Sequence, residues 1–249
     1  MECKNCGTAL SGRFCAECGQ KVIDDRLTLR RIFIDLFAII TNVEKGFWHT
    51  ALRLFQAPGD TIRAYLSGKT VRYYHPLRYL VIWVTFSVAL NLSLGLYDRQ
   101  QQDMKSIINT PTTEKSEAVQ QQIQNEVKKY LNIIPLAMVP FLSLMSYLFF
   151  IRRGWNYAEH LVLNAYTQGQ MAMIGLPIML FSIMAWNTGI VFSIAMVISI
   201  LYGAYVYKTF FKVGILQAII KNILVHLFGY LIVTILFSVI TVIWILFRL

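Results

Sequence analysis

The four cysteines of this 249-residue chain form two closely spaced pairs near the amino terminus. They are Cys3, Cys6, Cys15 and Cys18, which give two Cys-x2-Cys pairs. Gly7 and Gly19 follow the second cysteine of each pair, where a residue that tolerates positive φ lets backbone N–H groups turn toward the sulfur atoms. Four thiolates complete the tetrahedral shell of Zn²⁺ and leave no open position. The spacing therefore predicts a structural zinc ribbon over residues 1–21.

Two other uses of these cysteines compete with zinc. A unit of about 20 residues buries too little surface to fold alone, so a bound metal or covalent crosslinks must stabilise it. Two disulfides would be favoured in an extracellular segment, and an iron–sulfur or redox dithiol site is a third interpretation. The charge distribution described below places the segment in the reducing cytosol, which favours zinc.

Two stripes of polar residues recur at four-residue spacing within apolar helices. The first contains His160, Asn164 and Gln168, and the second contains Asn222, His226, Tyr230, Thr234 and Ser238. Because polar groups that face lipid are costly, such stripes point at another helix or at a cavity. They either line a hydrated pocket or proton path, or they form interhelical hydrogen bonds that hold the bundle together.

The sequence contains little that indicates enzymatic activity. Glu159 is the last acidic residue of the chain, and Arg152 or Arg153, one to two turns earlier, is its expected partner in an interfacial salt bridge. The sequence has no HExxH motif and no P-loop or serine-protease spacing. The remaining enzymatic hypothesis, weaker than the others, uses Glu159, His160 and the basic loops to act on an anionic lipid headgroup.

Long apolar segments predict an all-α membrane protein, a polytopic bundle of about five transmembrane helices. Hydrophobic residues make up 56% of the chain and charged residues only 14%, against about a quarter in soluble domains. The bundle is expected over residues 77–249, with an extracytoplasmic loop at 98–129 that is helical only from Glu114. The predicted spans are residues 79–96, 131–151, 161–186, 190–207 and 223–247.

Residues 22–76 precede the first predicted span and contain shorter amphipathic helices. Apolar residues recur at helical spacing between Leu29 and Ile40, and again between Phe47 and Phe55. Asp60 is the expected N-cap of a further helix that ends at Gly68. These helices are expected to lie in the headgroup region or dock on the bundle. A small soluble helical core beneath the zinc ribbon is the alternative.

Lysine and arginine predict the orientation of the bundle. With five spans, the amino-terminal segment and the loops around residues 152–160 and 208–222 share one side, and these are the segments with an excess of Lys and Arg. By the positive-inside rule this side is the cytoplasm, so the carboxyl terminus is expected outside. The net charge of +10 is thereby explained by topology and anionic headgroups, and no nucleic-acid partner is expected.

Short motifs along most of the chain resemble one family of membrane proteins. They include FCAECGQ at Phe14–Gln20, the spacing Asn42-x3-Gly46-x3-Thr50, Pro58-Gly59, Tyr65-x2-Gly68-Lys69, His75-Pro76 and Glu159-His160-Leu161. In this order they resemble the bacterial domain-of-unknown-function family 3667, whose members are zinc-ribbon-headed multispan proteins. The resemblance implies a bacterial cytoplasmic (inner) membrane protein and supplies no activity.

Two functions follow from these features. The first is a non-enzymatic scaffold, assembly factor or regulator, whose cytosolic zinc ribbon and basic segment dock a protein partner. The second is a small-solute or proton transporter or channel built on the two polar stripes. Five spans are few for a monomeric carrier, so the second function would require a homo-oligomer.

Overall fold

The computed structural model describes residues 7–9, 12, 16–17, 46–68, 72–108, 114–131, 133–184 and 188–246. Its contacts divide the chain into two compact units, Met1–Glu44 and Lys45–Leu249. The four cysteines and the amphipathic helix predicted between Leu29 and Ile40 lie outside the described residues. The described part of the second unit is helical without any β-strand, which confirms the predicted all-α class there.

Nine α-helices and one short 3-10 turn make up the described part of the second unit. We label them α1 (46–56), α2 (Pro58–Leu66), α3 (Pro76–Ser93), α4 (Leu96–Ile108), α5 (Glu114–Tyr130), α6 (Ile133–Phe149), the 3-10 turn Ile151–Arg153, α7 (Tyr157–Met184), α8 (Thr188–Phe211) and α9 (Ile215–Leu246).

Proline and glycine explain several of these boundaries. Pro58 and Pro76 each occupy the first helical position, where the missing N–H costs nothing. The 3-10 turn ends at Gly154 with φ +78°, a conformation that other residues rarely adopt. The prediction that Asp60 caps α2 was wrong. The helix begins two residues earlier, and Asp60 lies in its first turn, where it pairs with Arg63.

Three of the described helices are long and apolar enough to cross a membrane. These segments are Pro76–Ser93, Ser193–Phe211 and Ile215–Ser238, and the sharply bent pair Gln124–Tyr130 and Ile133–Phe149 makes a fourth if it counts as one span. The 28-residue helix α7 is not among them. Polar side chains such as Asn164, Gln168 and Gln170 lower the hydropathy of its first half. The structure therefore supports a membrane protein with three to four candidate spans.

The segment between the first two predicted spans is more helical than expected. Helix α5 begins at Glu114 as predicted, but the preceding residues, expected to be a loop, form α4. Glutamine is a good helix former, which explains why a Gln-rich polar sequence becomes helical. Lys128 of α5 contacts Asp98 of α4 at 2.7 Å, and Gln124 donates to Gln101 at 3.3 Å. These bonds connect the two helices.

The basic loops of the bundle meet at one end, which we call the basic end. Helix α3 runs beside α7 in the same direction, because Leu80 packs on Gly169 and, further along both helices, Ser87 donates to the Ala172 carbonyl. Ser146 near the end of α6 contacts His160 near the start of α7. Close to this junction, Lys221 in the second turn of α9 donates to the Phe149 carbonyl at 2.5 Å. The basic residues of the 3-10 turn, of the end of α8, of the turn that follows it and of the start of α9 therefore lie near one another; they are Arg152, Arg153, Lys208, Lys212 and Lys221.

Candidate functional site

A cluster of buried polar side chains joins α6, α7 and α8 near the basic end. We call it the polar cluster; its members are Ser143, Ser146, His160, Asn164 and Tyr207. The Asn164 amide nitrogen donates to Ser146 Oγ and to the His160 carbonyl, both at 2.9 Å. Its amide oxygen accepts from the Tyr207 hydroxyl at 3.3 Å. Asn164 thus uses its oxygen and its nitrogen to connect three helices.

His160 is enclosed within this cluster. Its Nδ1 atom lies 2.8 Å from Ser146 Oγ, and its ring stacks on Phe211 with centroids 5.4 Å apart. The Tyr147 ring lies on another side with its centroid 5.7 Å from that of His160, and His160 is completely buried. Its Nε2 atom has no hydrogen-bond partner among the described residues. The predicted first stripe is therefore an interior face, and His160 and Asn164 lie together on it.

The third member of the first stripe contacts the second stripe. Gln168 Nε2 lies 3.4 Å from His226 Nε2, across the interface between α7 and α9. The other ring nitrogen of His226 is 2.9 Å from the Asn222 carbonyl, so it carries the proton, and Nε2 accepts from the Gln168 amide. Asn222 is buried and donates to the Ile200 carbonyl of α8 at 3.3 Å. The two predicted stripes thus meet at Gln168 and His226.

The outer half of the second stripe has a different environment. Tyr230 is 55% exposed on the surface of the bundle, although its ring lies 6.2 Å from His226. Thr234 and Ser238 are also exposed, and each hydroxyl donates to the carbonyl four residues earlier in its own helix. The structure therefore brings Asn222 and His226 to the helix interface and leaves these three residues outside it.

Glu159 has a structural partner that the sequence analysis did not identify. Its Oε2 atom accepts from the Asn156 N–H at 2.6 Å, and Asn156 Oδ1 accepts from the Glu159 N–H at 2.9 Å. This reciprocal arrangement is a capping box at the start of α7. Among the described residues, the Glu159 carboxylate bonds the Asn156 N–H at the start of α7 and not Arg152 or Arg153, its predicted partners. The Asn156-x2-Glu159 spacing was the signal that could have revealed it.

Helices α1 and α2 dock directly on the bundle, and we call this interface the docking contact. Gly59 of α2 packs so closely on α8 that a Cβ atom there would lie less than 3.0 Å from the Thr209 and Phe210 backbones. Arg63 donates to the carbonyl oxygens of these two residues at 2.5 and 2.7 Å. These carbonyls belong to the last turn of α8, where a cation also complements the helix dipole. Arg63 therefore caps α8.

The carboxyl-terminal half of α1 is bound through its carbonyl groups. Tyr202 donates to the Leu54 carbonyl at 3.2 Å, and Tyr205 donates to the Gln56 carbonyl at 2.7 Å. From α7, Gln170 donates to the Ala51 carbonyl at 3.3 Å while its oxygen accepts from the Tyr79 hydroxyl. Side chains of α7 and α8 thus satisfy backbone groups at the end of α1. The sequence does not indicate these hydrogen bonds, because tyrosines in an apolar helix are usually ordinary core residues.

The turn before α3 is fixed to α1 by a threonine. Thr50 Oγ1 donates to the Gly46 carbonyl at 2.6 Å and accepts from the Tyr74 N–H at 2.8 Å. On the same helix, burial and the nearby Arg72 and Arg53 guanidinium groups lower the pKa of His49 below its ordinary value. A histidine with a lowered pKa stays neutral at pH 7, so it adds no further charge to this cationic region.

The described residues contain no group of three or more His, Cys, Asp or Glu side chains that could hold a metal ion. This finding does not extend to the predicted zinc ligands, which lie outside the described residues. The polar cluster and the Gln168–His226 pair supply no carboxylate. Within the described residues, their geometry is that of buried helix contacts.

Fold and contacts together define an all-α membrane protein whose short helices α1 and α2 are built into one end of its bundle. Residues 44–88 match the model of the family described as "Protein of unknown function (DUF3667)". The match confirms the family predicted from the sequence and spans all of α1 and α2 together with most of α3. No curated protein and no solved structure matches the chain.

Proposed function

We propose that this protein is a membrane-embedded scaffold or regulator that presents a cytosolic zinc ribbon to a protein partner. The observation that carries this proposal is the docking contact. Because α1 and α2 are hydrogen-bonded to α7 and α8, a displacement of α1 or α2 is transmitted to these helices of the bundle. A tether without such a function would not require six hydrogen bonds to the bundle, made by five side chains.

The topology that belongs to this proposal has five spans in the cytoplasmic membrane of a bacterium. Counting α7 as a span explains why α3 and α7 run in parallel and why the basic loops lie at one end. A cytoplasmic basic end follows the positive-inside rule and places the amino terminus inside and the carboxyl terminus outside. Polar residues of α7 are tolerated in this arrangement because they bond neighbouring helices rather than facing lipid.

Zinc binding by the four cysteines is part of the same proposal. Gly7 has a φ of +76°, the left-handed conformation that the turn after the second cysteine of a zinc knuckle requires. This observation fits a ribbon in which Cys3, Cys6, Cys15 and Cys18 bind one Zn²⁺. The metal would have a structural role, since four thiolates leave no position for a substrate.

We expect the purified chain to contain one zinc ion per polypeptide. The Cys15→Ser/Cys18→Ser variant should retain almost none, because two thiolates do not complete a tetrahedral site. Elemental analysis by mass spectrometry, with Ser11→Ala as a control in the same segment, measures this directly. Equal zinc content in the wild type and the double cysteine variant would rule out the ribbon.

The proposed binding of a protein partner by the zinc ribbon is tested by quantitative co-purification of the full-length protein after crosslinking in membranes. We expect at least one protein to be recovered with the wild type and with Ser11→Ala, and to be depleted with Cys15→Ser/Cys18→Ser. All three proteins must first show the same thermal unfolding midpoint for the bundle, so that loss of the partner reports on the ribbon. Identical partner sets would contradict the proposal.

A second candidate function is transport, and the contact that favours it is the Gln168–His226 pair, which joins the two polar stripes. The complete burial of His160 and the three bonds of Asn164 favour a structural role for the first stripe. Proton flux into liposomes that carry the purified protein distinguishes the two functions. Flux that disappears in His160→Ala/His226→Ala would support transport, whereas the scaffold proposal expects no flux above that of empty liposomes.

A further inference from the structure

A pocket of about 520 Å³ lies at the basic end between the carboxyl-terminal end of α6 and the start of α9. Its polar lining consists of Arg152 and Arg153 from the 3-10 turn and Gln217 and Lys221 from α9. Gln217 and Lys221 are four residues apart, so they share one face of α9. None of the described residues that line the pocket is acidic. The pocket therefore collects three positive charges beside one neutral amide.

The lysine of this pocket is held in place. Its ammonium group donates to the Phe149 carbonyl at 2.5 Å and lies 4.3 Å from the centre of the Phe150 ring. A cation over an aromatic face is attracted by the ring, and the carbonyl uses only one of the three ammonium protons. Two N–H donors of Lys221 thus remain available to a ligand.

The two arginines lack a counter-ion in the part of the chain that the structure describes. Both are exposed, and neither forms an ion pair with a described carboxylate. The nearest acidic residue in sequence, Glu159, is occupied by the capping box with Asn156. Three cations gathered without an acid repel one another, and a bound anion removes that repulsion.

Apolar surface adjoins the cationic lining. Leu148 and Ile151 line the same pocket and are 50% and 53% exposed. Leu216 and Ile220 are similarly exposed on α9 beside Gln217 and Lys221. This combination suits a ligand with a phosphate at the level of the helix ends and hydrocarbon along the helices. An anionic phospholipid has this chemistry.

We propose that the pocket formed by Arg152, Arg153, Gln217 and Lys221 binds a phosphate group, supplied by the headgroup of an anionic phospholipid. Arginine contacts two phosphate oxygens at once, and the fixed ammonium of Lys221 contributes a point charge from the α9 side. This site is independent of the zinc ribbon and of the docking role.

The test uses the full-length protein in a neutral detergent, titrated with phosphatidylglycerol, phosphatidylcholine or inorganic phosphate. Binding is counted by native mass spectrometry and followed by the thermal unfolding midpoint. The variant is Arg152→Gln/Arg153→Gln/Lys221→Gln. The control, Arg78→Gln/Lys208→Gln/Lys212→Gln, removes the same charge from exposed residues outside the pocket lining. Since one cation near a phosphate contributes about fivefold in affinity, we expect binding of phosphatidylglycerol to weaken about a hundredfold in the pocket variant alone.

A second variant separates loss of the phosphate site from misfolding of the protein. Arg152→Gln/Arg153→Gln changes only exposed side chains and should weaken phosphatidylglycerol binding about 25-fold. Inorganic phosphate that binds the wild type as tightly as the lipid, and is lost in the same variants, would keep the phosphate site but assign it to a soluble ligand. Equal phosphatidylglycerol binding by the pocket and control variants, or equal binding of phosphatidylcholine and phosphatidylglycerol by the wild type, would overturn the proposal.

Discussion

Replacing Gly59 by alanine is expected to lower the thermal unfolding midpoint of the full-length protein by about 6–12 °C. The new methyl group would lie closer than 3.0 Å to backbone atoms of Thr209 and Phe210, and backbone cannot move aside as a flexible side chain can. Helix α2 must therefore shift away from α8. Overpacking of this kind costs about 3 kcal/mol or more, at roughly 2–4 °C per kcal/mol for a chain of this size.

The shift should also disrupt specific hydrogen bonds. Arg63 then no longer reaches the two carbonyl groups at the end of α8, and the bond from the Gly59 N–H to Thr209 Oγ1 at 3.2 Å is lost. Hydrogen exchange measured by mass spectrometry should show faster exchange in α2 and in the last turn of α8 than in α3.

Gly175→Ala is the matched control for this prediction. Gly175 also lies within a helix, but a Cβ atom there would meet nothing within 4 Å. Alanine is the better helix former, so we expect an unchanged or slightly higher unfolding midpoint. If Gly59→Ala unfolds at the same temperature as Gly175→Ala, the docking contact is looser than the structure indicates, and the proposed coupling between α2 and the bundle loses its basis.

Helix positions were the part of the fold that the sequence predicted best. Long apolar segments favour helices, which satisfy all their own backbone groups, and α3, α6, α7, α8 and α9 all overlap predicted spans. Their ends differ by several residues because hydropathy marks only the apolar stretch, whereas helical hydrogen bonding continues past it. Helix α9, for instance, begins at Ile215 rather than near residue 223. Lys221, which lies between these two positions, does not interrupt the helix.

Contacts between distant segments were beyond the reach of sequence patterns. The docking contact joins residues about 150 positions apart, and nothing in the local sequence of Tyr202 or Tyr205 indicates that their hydroxyl groups bind α1. For Glu159 the sequence predicts an oppositely charged partner, but free backbone N–H groups at the start of a helix compete for its carboxylate and lie closer.

The candidate site was predicted in part. Four-residue spacing correctly indicated that His160 and Asn164 share a face, because that follows from helix geometry alone. The spacing could not show which face is covered by a neighbour. Tyr230, Thr234 and Ser238 continue the second stripe in sequence, yet all three are exposed on the surface of the bundle.

Replacing Asn164 by leucine is expected to destabilise the protein by about 2 kcal/mol, which is about 4–8 °C in the unfolding midpoint. Leucine has the same number and branching of side-chain heavy atoms as asparagine, so the main effect of the change is the loss of hydrogen bonding. Two interhelical bonds disappear, one to Ser146 and one from Tyr207, and each is worth about 0.6–1.7 kcal/mol in a membrane protein. The buried Tyr207 hydroxyl also loses its acceptor.

Thr234→Val supplies the comparison for Asn164→Leu. Thr234 belongs to a polar stripe too, but it is exposed and bonds only its own helix, so its replacement should change the midpoint by less than about 1 °C. The pair of variants separates the two interpretations of the polar stripes. An interhelical role predicts a stability loss for Asn164→Leu with no effect on liposome flux. Unchanged stability together with an altered proton flux would instead show that the polar cluster serves a transport path, and the scaffold proposal would have to be abandoned.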